Sequence, residues 1–235
     1  EEGPDEEGGD EDEGEWEEEG VRPIKTFMSS RPVLSMDHHW RDRIFVTSGE
    51  KICVWDPSRA DPVHSYTWGV DSIHCVRFNP AERSLMGSTA SDRGVVLYDV
   101  RASTPMRKVI MTMRSNKLEW NPREPFNFAL ANEDGNAYTY DMRNLSRALV
   151  VHKDHVGAVM DVAFSPTGRE LATGSYDRTV RIFGVAAQRS RDVYHTKRMQ
   201  NVFCVTFSQD AQYVLSGSDD TNVRLWKGRA PKPLG

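Results

Sequence analysis

Two polar side chains in this sequence have types and spacing that could serve a catalytic site. His155 precedes Asp177 by 22 residues. In serine hydrolases a buried carboxylate orients the histidine that activates the nucleophile. The sequence has no Gly-x-Ser-x-Gly turn to present such a nucleophile, and no phosphate-binding glycine loop. We therefore predict that His155 and Asp177 form a structural hydrogen bond and that the protein is not an enzyme.

A basic segment indicates a different chemistry, the binding of RNA. Between positions 188 and 200, cations surround an aromatic pair: Arg189, Arg191, Tyr194, His195, Lys197 and Arg198. Guanidinium and ammonium groups bind phosphates, and aromatic rings stack on unpaired bases. Further cations occupy the equivalent junction one or two periods earlier in the repeat described next: Arg107, Lys108, Arg114 and Lys117. We predict these eight basic residues as candidates for RNA binding; the alternative is a charged outer strand and loop.

The elements that must position these residues follow a repeat. An aromatic residue closes a short apolar run at intervals of 43, 42, 43 and 43 residues: Trp55, Tyr98, Tyr140, Phe183 and Trp226. An aspartate stands six residues before the aromatic in four of the five repeats: Asp92, Asp134, Asp177 and Asp220. A period of about 40–45 residues with a Trp-Asp signature is typical of WD40 blades.

The physical pattern inside a repeat supports antiparallel hairpins. Apolar and polar residues alternate over 159–164 and again over 180–183, and a Pro-Thr-Gly turn and an Asp-Arg turn separate the runs. One four-stranded sheet cannot bury both faces, so neighbouring sheets must stack, with the repeated aromatic residues between them. We predict an all-β WD40 β-propeller with five blades in this chain, as part of a seven-bladed ring.

Two boxes just after the third strand of a repeat have Asp and Arg two residues apart. They are Asp99 with Arg101 and Asp141 with Arg143, each preceded by Tyr at the repeated aromatic position. They resemble the Trp-Asp-x-Arg boxes of WD40 substrate receptors for cullin-RING ubiquitin ligases, with Tyr in place of Trp. The alternative is a local salt bridge within an ordinary blade.

Charge divides the chain into an acidic start and a basic body. The 235 residues have a formal net charge of −5, but residues 1–20 contain 13 acidic residues and neither Lys nor Arg. The remaining residues contain 22 acids and 30 bases, a balance of +8. We predict an acidic disordered linker or loop at 1–20, the propeller at 21–227 and the start of a C-terminal extension at 228–235.

Composition also argues against several kinds of site. Cys53, Cys75 and Cys204 are far apart and without a Cys-x-x-Cys pair, so we predict buried free thiols. His38 and His39 are adjacent in a strand-like run, where neighbouring side chains point to opposite faces and cannot easily chelate one ion. The longest apolar runs have four or five residues, too few for a membrane span. We predict no metal, no cofactor, no small-molecule substrate and no membrane partner.

Five short segments together resemble one family of WD40 proteins. These segments are 37–40 (DHHW), 68–73 (WGVDSI), 90–93 (ASDR), 131–134 (ANED) and 194–200 (YHTKRMQ). They are similar, in collinear order, to the Sof family, whose members are components of the small-subunit processome in the nucleolus. The animal member is also described as a cullin-RING ligase associated factor.

The resemblance implies a function that the residues alone do not. It implies a nucleolar scaffold that binds pre-rRNA and small-subunit processome proteins while the 40S ribosomal subunit matures. The alternative that it implies is a substrate receptor of a cullin-RING E3 ubiquitin ligase. The adaptor-binding boxes would then be Asp99 with Arg101 and Asp141 with Arg143.

Overall fold

The structure, a computed structural model, describes residues 24–29, 31–67 and 72–229. Nineteen strands form five separate antiparallel sheets, and the described residues contain no helix. The prediction of an all-β propeller architecture with five blades in this chain is confirmed. The predicted acidic stretch 1–20, the motif residues 68–71 and residues 230–235 of the predicted extension lie outside the described residues.

Each sheet takes its strands from one continuous stretch of the chain, in sequence order from one edge to the other. The first contains β1 (Ser35–His38), β2 (Phe45–Ser48), β3 (Ile52–Trp55) and β4 (His64–Tyr66). The second contains β5 (Ile73–Phe78), β6 (Leu85–Ala90), β7 (Gly94–Asp99) and β8 (Pro105–Ile110). The third contains β9 (Ser115–Trp120), β10 (Asn127–Asn132), β11 (Asn136–Asp141) and β12 (Val150–Lys153). The fourth contains β13 (Val159–Phe164), β14 (Glu170–Ser175), β15 (Val180–Gly184) and β16 (Ser190–Tyr194). The fifth contains β17 (Val202–Phe207), β18 (Tyr213–Ser218) and β19 (Val223–Lys227).

The repeated aspartate makes the turn between the second and third strands of a sheet. One carboxylate oxygen accepts a hydrogen bond from the backbone N–H two residues on, at 2.8 Å for Asp92, 2.9 Å for Asp134 and 3.0 Å for Asp177. This Asx turn replaces a backbone hydrogen bond with one from the side chain. The residue after Asp177 is Arg178, whose φ of 66° is left-handed, and the side-chain bond helps to hold that conformation.

Side chains from neighbouring sheets form the core. Tyr98 of the second sheet packs on Tyr66 of the first, with ring centroids 5.2 Å apart. The ring of Phe183 in the fourth sheet packs on that of His152 in the third, with centroids 5.3 Å apart. The ring of Trp226 stacks on that of Tyr194, on the outer strand of the fourth sheet, at 5.2 Å. The repeated aromatic therefore fills the gap to the preceding sheet, and each apolar cluster joins residues of two adjacent sheets.

The first strands of successive sheets lie side by side and bond across the junction. Phe78 N donates to Asp37 Oδ2 at 2.7 Å, and Val205 N donates to Asp161 Oδ2 at 3.0 Å. A carboxylate of one sheet thus satisfies a backbone donor of the next. The first strands β1, β5, β9, β13 and β17 are therefore the innermost strands of the propeller.

The turns divide between the two ends of the sheets. Turns from the first to the second strand share one end with the segments that follow the third strand, as in the 2.7 Å bond from Val100 N to Ser84 O. We call this the Pro80 end. Turns between the second and third strands, which include Asp177, lie at the opposite end, which we call the Asp177 end.

One burial prediction is wrong. Cys53 and Cys75 are buried free thiols, but Cys204 is exposed. Cys204 lies on β17, and no sheet among the described residues covers that face of the fifth sheet. The same face leaves the apolar side chains of Val223 and Leu225 in solvent, at 74% and 62% exposure.

Candidate interaction surfaces

His155 and Asp177 form a closed polar network inside the fourth sheet. Asp177 Oδ2 accepts a hydrogen bond from His155 Nδ1 at 2.8 Å, and His155 Nε2 lies 2.6 Å from Thr173 Oγ1. Burial by itself raises the pKa of Asp177, but the hydrogen bonds from His155 and Thr179 lower it well below its usual value. With every polar atom of this pair engaged inside the sheet, its role is to tie the Asp177 turn to the strands.

The repeated aromatic residues differ in the polar group they offer to the second strand. Trp55 Nε1 donates to Thr47 Oγ1 at 2.8 Å, and Trp226 Nε1 donates to Ser216 Oγ at 2.8 Å. Phe183 has no donor at this position, so Thr173 turns to His155 instead. Tyr140, which is buried, donates to Met111 Sδ at 3.5 Å.

The two Asp-x-Arg boxes have the same geometry in consecutive sheets. Arg101 Nη2 lies 2.9 Å from Asp99 Oδ2, and Arg143 Nη2 lies 2.7 Å from Asp141 Oδ2. In each box the Nε atom bonds the other carboxylate oxygen, which makes a bidentate pair. The guanidinium holds the pKa of each aspartate below its usual value.

Both boxes present an arginine to solvent at the Pro80 end. The Arg101 side chain is 78% exposed and that of Arg143 is 63% exposed, whereas their aspartates are largely covered. The guanidinium carbon of Arg143 also lies 4.7 Å from the ring centre of Phe126, which is itself exposed. Arg107 of β8 donates to the backbone oxygen of Arg143, so the two boxes belong to adjoining parts of one surface.

Six of the eight predicted RNA-binding cations are bonded within the protein. Arg189 Nη1 bonds Asp154 at 2.6 Å, and Lys108 Nζ bonds Asp92 at 2.7 Å. Arg191 contacts Glu170, Asp192 and the backbone of Gly228; Arg114 contacts Glu133, and Lys117 contacts Asp161. Arg107 is held by Arg143, as described above. The six are spread over β8, β9, β16 and the segments just before β9 and β16, and do not share one rim. Lys117 lies on the innermost strand β9 rather than at an outer junction.

The two other cations lie in the connection from β16 to β17. Lys197 and Arg198 are exposed and have no ion-pair partner among the described residues. His195 is exposed beside them, while Met199 is buried and anchors the connection. The aromatic pair of Phe203 and Tyr176, with ring centroids 5.9 Å apart, is exposed at the neighbouring Asp177 end.

A cleft that the sequence did not predict opens at the Pro80 end, around the innermost strands. Its volume is about 580 Å³, and four consecutive sheets line it. Its charged lining residues are Asp37, Arg77 and Glu119, each two positions before the turn that ends an innermost strand. This recurrence at one repeat period was visible in the sequence, but charged residues at inward positions of a strand resemble ordinary solvated ones.

Three of the four turns around this cleft are closed by a side chain that also reaches the next sheet. Asn79 Oδ1 accepts from two backbone N–H groups, and its Nδ2 donates to Pro125 O at 2.7 Å. Asn121 does the same, with its Nδ2 3.1 Å from Gly168 O. His39 is their equivalent in the first sheet, where Nδ1 accepts from backbone N–H groups and Nε2 lies 3.0 Å from Arg83 O.

Neither a metal centre nor a membrane-spanning helix is found in the part of the chain that the structure describes. No three His, Cys, Asp or Glu side chains there come together as a metal ion would require. None of those residues forms a helix long and apolar enough to cross a bilayer.

Comparison with known proteins agrees with this architecture. Residues 146–184 and 192–227 match the family described as WD domain, G-beta repeat. "DDB1- and CUL4-associated factor 13" of Danio rerio is 54% identical over 218 residues, which are 92% of this chain and 49% of the relative. "Protein SOF1" of Saccharomyces cerevisiae is 53% identical over 213 residues, 91% of this chain and 43% of the relative. The chain contains WD40 repeats and is a homologue of both proteins.

The Homo sapiens factor of the same name as the Danio rerio protein is 48% identical over 213 residues, 91% of this chain and 48% of that protein. The chain spans about half the length of the curated relatives it matches.

Proposed function

We propose that the protein is a non-enzymatic scaffold of the small-subunit processome. In this role it binds pre-rRNA and assembly factors in the nucleolus during pre-rRNA processing and maturation of the 40S subunit. The observation that carries the proposal is the 53% identity to SOF1 over 91% of this chain. It adds to the family resemblance of the DHHW and YHTKRMQ segments. A propeller whose buried His–Asp pair is fully engaged inside a sheet fits a binding role rather than a catalytic one.

For the RNA contact we propose Lys197 and Arg198 before the other candidates. A cation already paired inside the protein must give up or share that bond to reach a phosphate. These two are exposed and form no ion pair within the described part of the chain. The exposed rings of Tyr176 and Phe203 supply stacking surfaces for unpaired bases. Arg189, Arg191, Arg107, Lys108, Arg114 and Lys117 remain candidates of second rank.

Charge reversal in the full-length protein tests this contact. Lys197→Glu with Arg198→Glu should strip the protein from pre-ribosomal particles in a sucrose gradient, because the phosphate contacts become repulsive. Arg147→Glu with Lys153→Glu reverses two other exposed charges, on the third sheet, and should leave sedimentation unchanged. If the first variant sediments with the particles as the wild type does, the segment does not hold RNA there.

A second candidate function is that of a substrate receptor of a cullin-RING ubiquitin ligase. The repeated, bidentate Asp-x-Arg geometry of the two boxes favours it, because two arginines are fixed in one orientation on one surface. The animal relatives are named DDB1- and CUL4-associated factor 13, and this name supports the same function. The two functions are compatible, since the boxes and the 197–198 connection are different surfaces.

Removing the two arginines tests the receptor function. In the full-length protein, Arg101→Ala with Arg143→Ala should abolish co-purification with the ligase adaptor while the protein stays in pre-ribosomal particles. Arg41→Ala with Arg147→Ala, which removes two exposed arginines outside the boxes, should leave adaptor binding intact. If the first variant still binds the adaptor, the boxes do not form the adaptor-binding surface.

A further inference from the structure

The cleft at the Pro80 end has an apolar rim that the repeat builds four times. Each turn begins with a polar residue that is followed by the rim residue. Pro80, Pro122 and Pro166 follow Asn79, Asn121 and Ser165, and Trp40 follows His39 in the first sheet. The Trp40 side chain is 52% exposed. The rim is therefore a collar of three proline rings and one accessible indole around an opening of about 580 Å³.

Below the collar, three charged side chains from successive sheets lie in a row, and they differ in how many partners they have. Arg77 lies between Asp37 and Glu119, with nitrogen–oxygen distances of 3.7 Å and 3.6 Å. Asp37 Oδ2 also accepts a hydrogen bond from Phe78 N, and Arg77 Nη1 donates to Met36 O at 2.9 Å. The lining thus contains two carboxylates and one guanidinium.

Glu119 is the group left without a close partner. No hydrogen bond to its carboxylate is formed among the described residues, and its nearest cation is the Arg77 Nε at 3.6 Å, beyond hydrogen-bonding distance. Burial raises the pKa of Glu119 to about 7, against the lowering effects of Arg77 and Lys117. A partly buried carboxylate in such a place is stabilised by any donor that enters the cleft.

We propose that this cleft binds an arginine side chain presented by an extended segment of a partner protein. A guanidinium fits both features of the site, since it donates two parallel hydrogen bonds to a carboxylate and stacks on an indole. The proline collar offers a flat apolar surface to the backbone on either side of the inserted arginine. A nucleic acid backbone is disfavoured, because its phosphates would approach Asp37 and Glu119.

Peptide binding to the full-length protein tests the proposal. The probe is a fluorescein-labelled peptide Gly-Gly-Arg-Gly-Gly, measured by anisotropy, with an analogue that carries uncharged citrulline in place of arginine. Glu119→Gln should weaken arginine-peptide binding about tenfold, as expected for loss of one charged hydrogen-bonding partner. Glu82→Gln removes an exposed carboxylate at the same end, outside the cleft, and should change the affinity by no more than about twofold.

Trp40→Ala provides a second variant with little risk of unfolding, because the indole is half exposed. It should weaken binding about threefold, the size of one cation–π contact at an accessible site. Equal affinity of wild type and Glu119→Gln for the arginine peptide would overturn the proposal. Equal binding of the citrulline analogue would also overturn it. So would displacement of the peptide by an oligouridine, if the displacement is the same in the variant Lys197→Glu with Arg198→Glu.

The pH dependence gives an independent readout. Arginine-peptide affinity should rise as the pH is raised through about 7, because Glu119 then becomes charged. The other charged groups that face it are Asp37 from β1, Arg77 from β5, Lys117 from β9 and Asp161 from β13, and His38 also lines the cleft. His38→Gln should keep the rise and Glu119→Gln should reduce it; the opposite pattern would assign the pH effect to His38 and contradict the role of Glu119.

Discussion

At the residue scale, the turns that follow the innermost strands show how one position can be filled by two side-chain chemistries. Asn79 and Asn121 each accept from their own turn and donate to the next sheet. His39 uses two ring nitrogens for the same two tasks. Because backbone N–H groups can only donate, Nδ1 must be the acceptor, and Nε2 carries the proton donated to Arg83 O.

This equivalence predicts the effects of two substitutions at His39, whose side chain is 1% exposed. His39→Ala leaves buried backbone groups without partners and should lower the free energy of unfolding by about 1–3 kcal/mol. His39→Asn restores an acceptor and a donor in the arrangement used by Asn79, and should lose about 1 kcal/mol less. Urea unfolding of the two variants measures the difference. Equal losses would show that the ring packing, not the hydrogen bonds, stabilises this turn.

Prediction from sequence at this scale was uneven for a physical reason. The hydrogen bond between His155 and Asp177 was predictable, because His155 stands where WD40 repeats often carry a histidine and Asp177 belongs to the same repeat. The partners of the basic residues come from elsewhere: Arg189 bonds Asp154, 35 residues earlier, across the junction of two sheets. No local pattern shows such a partner. The sequence therefore predicted eight candidate RNA-binding cations, of which two are exposed without an ion pair among the residues that the structure describes.

At the element scale, side-chain hydrogen bonds join the Asp177 turn to two other parts of its repeat. Asp177 bonds His155, Val156 and Thr179, and so joins the segment before β13 to the turn between β14 and β15. The pKa of Asp177 lies below its unfolded value, so its ionised form favours the folded state. That contribution is fully present above an unfolded pKa of about 4 and is lost as the pH falls below it.

Replacing this carboxylate therefore changes both stability and its dependence on acid. Asp177→Asn should destabilise the protein by about 1–3 kcal/mol at neutral pH, because the charged hydrogen bonds are lost. The loss should shrink as the pH falls below about 4. Urea unfolding at a series of pH values tests this, with the exposed Asp61→Asn as a control that should follow the wild type. A deficit that stays constant at every pH would show that the charge of Asp177 contributes nothing.

The strands themselves were largely predictable, because each repeat contains turn residues that mark where its strands end. The repeated aspartates marked the turns between second and third strands, and Pro166 and Gly168 marked the turn before β14. The exposure of Cys204 was not predictable, because the burial of a strand residue depends on a neighbouring sheet and not on the strand pattern. The pattern of β17 resembles that of β13, but only β13 is covered on both sides by described sheets.

At the scale of the whole molecule, the open face of the fifth sheet follows from the partial ring that the repeats predict. We expect the full-length protein to cover this face with a further blade, since the Leu225 and Val223 side chains are 62% and 74% exposed here. A maleimide should then modify Cys204 rapidly in the 235-residue chain and slowly in the full-length protein. Cys53 and Cys75, which are buried, should be slow in both. Peptide mass spectrometry of the labelled cysteines measures this, and fast labelling of Cys204 in both proteins would contradict a ring that closes against the fifth sheet.

The number of blades in this chain was predictable because the repeat is nearly constant in length. The axial cleft was not, because it exists only where several innermost strands converge. Asp37, Arg77 and Glu119 belong to three different repeats and meet only in the assembled propeller. The repeat in the sequence therefore predicts the blades, whereas a surface built from several blades is seen only in the assembled structure.

The central claim is that this propeller works as a scaffold on pre-rRNA, and crosslinking in cells tests it most directly. The tagged full-length protein is irradiated with ultraviolet light and purified under denaturing conditions, and the attached RNA is sequenced. We expect reads concentrated in the pre-rRNA of the small subunit, and their loss in Lys197→Glu with Arg198→Glu but not in Arg147→Glu with Lys153→Glu. An intact protein with no RNA above background would contradict the claim and leave a propeller that bridges proteins only.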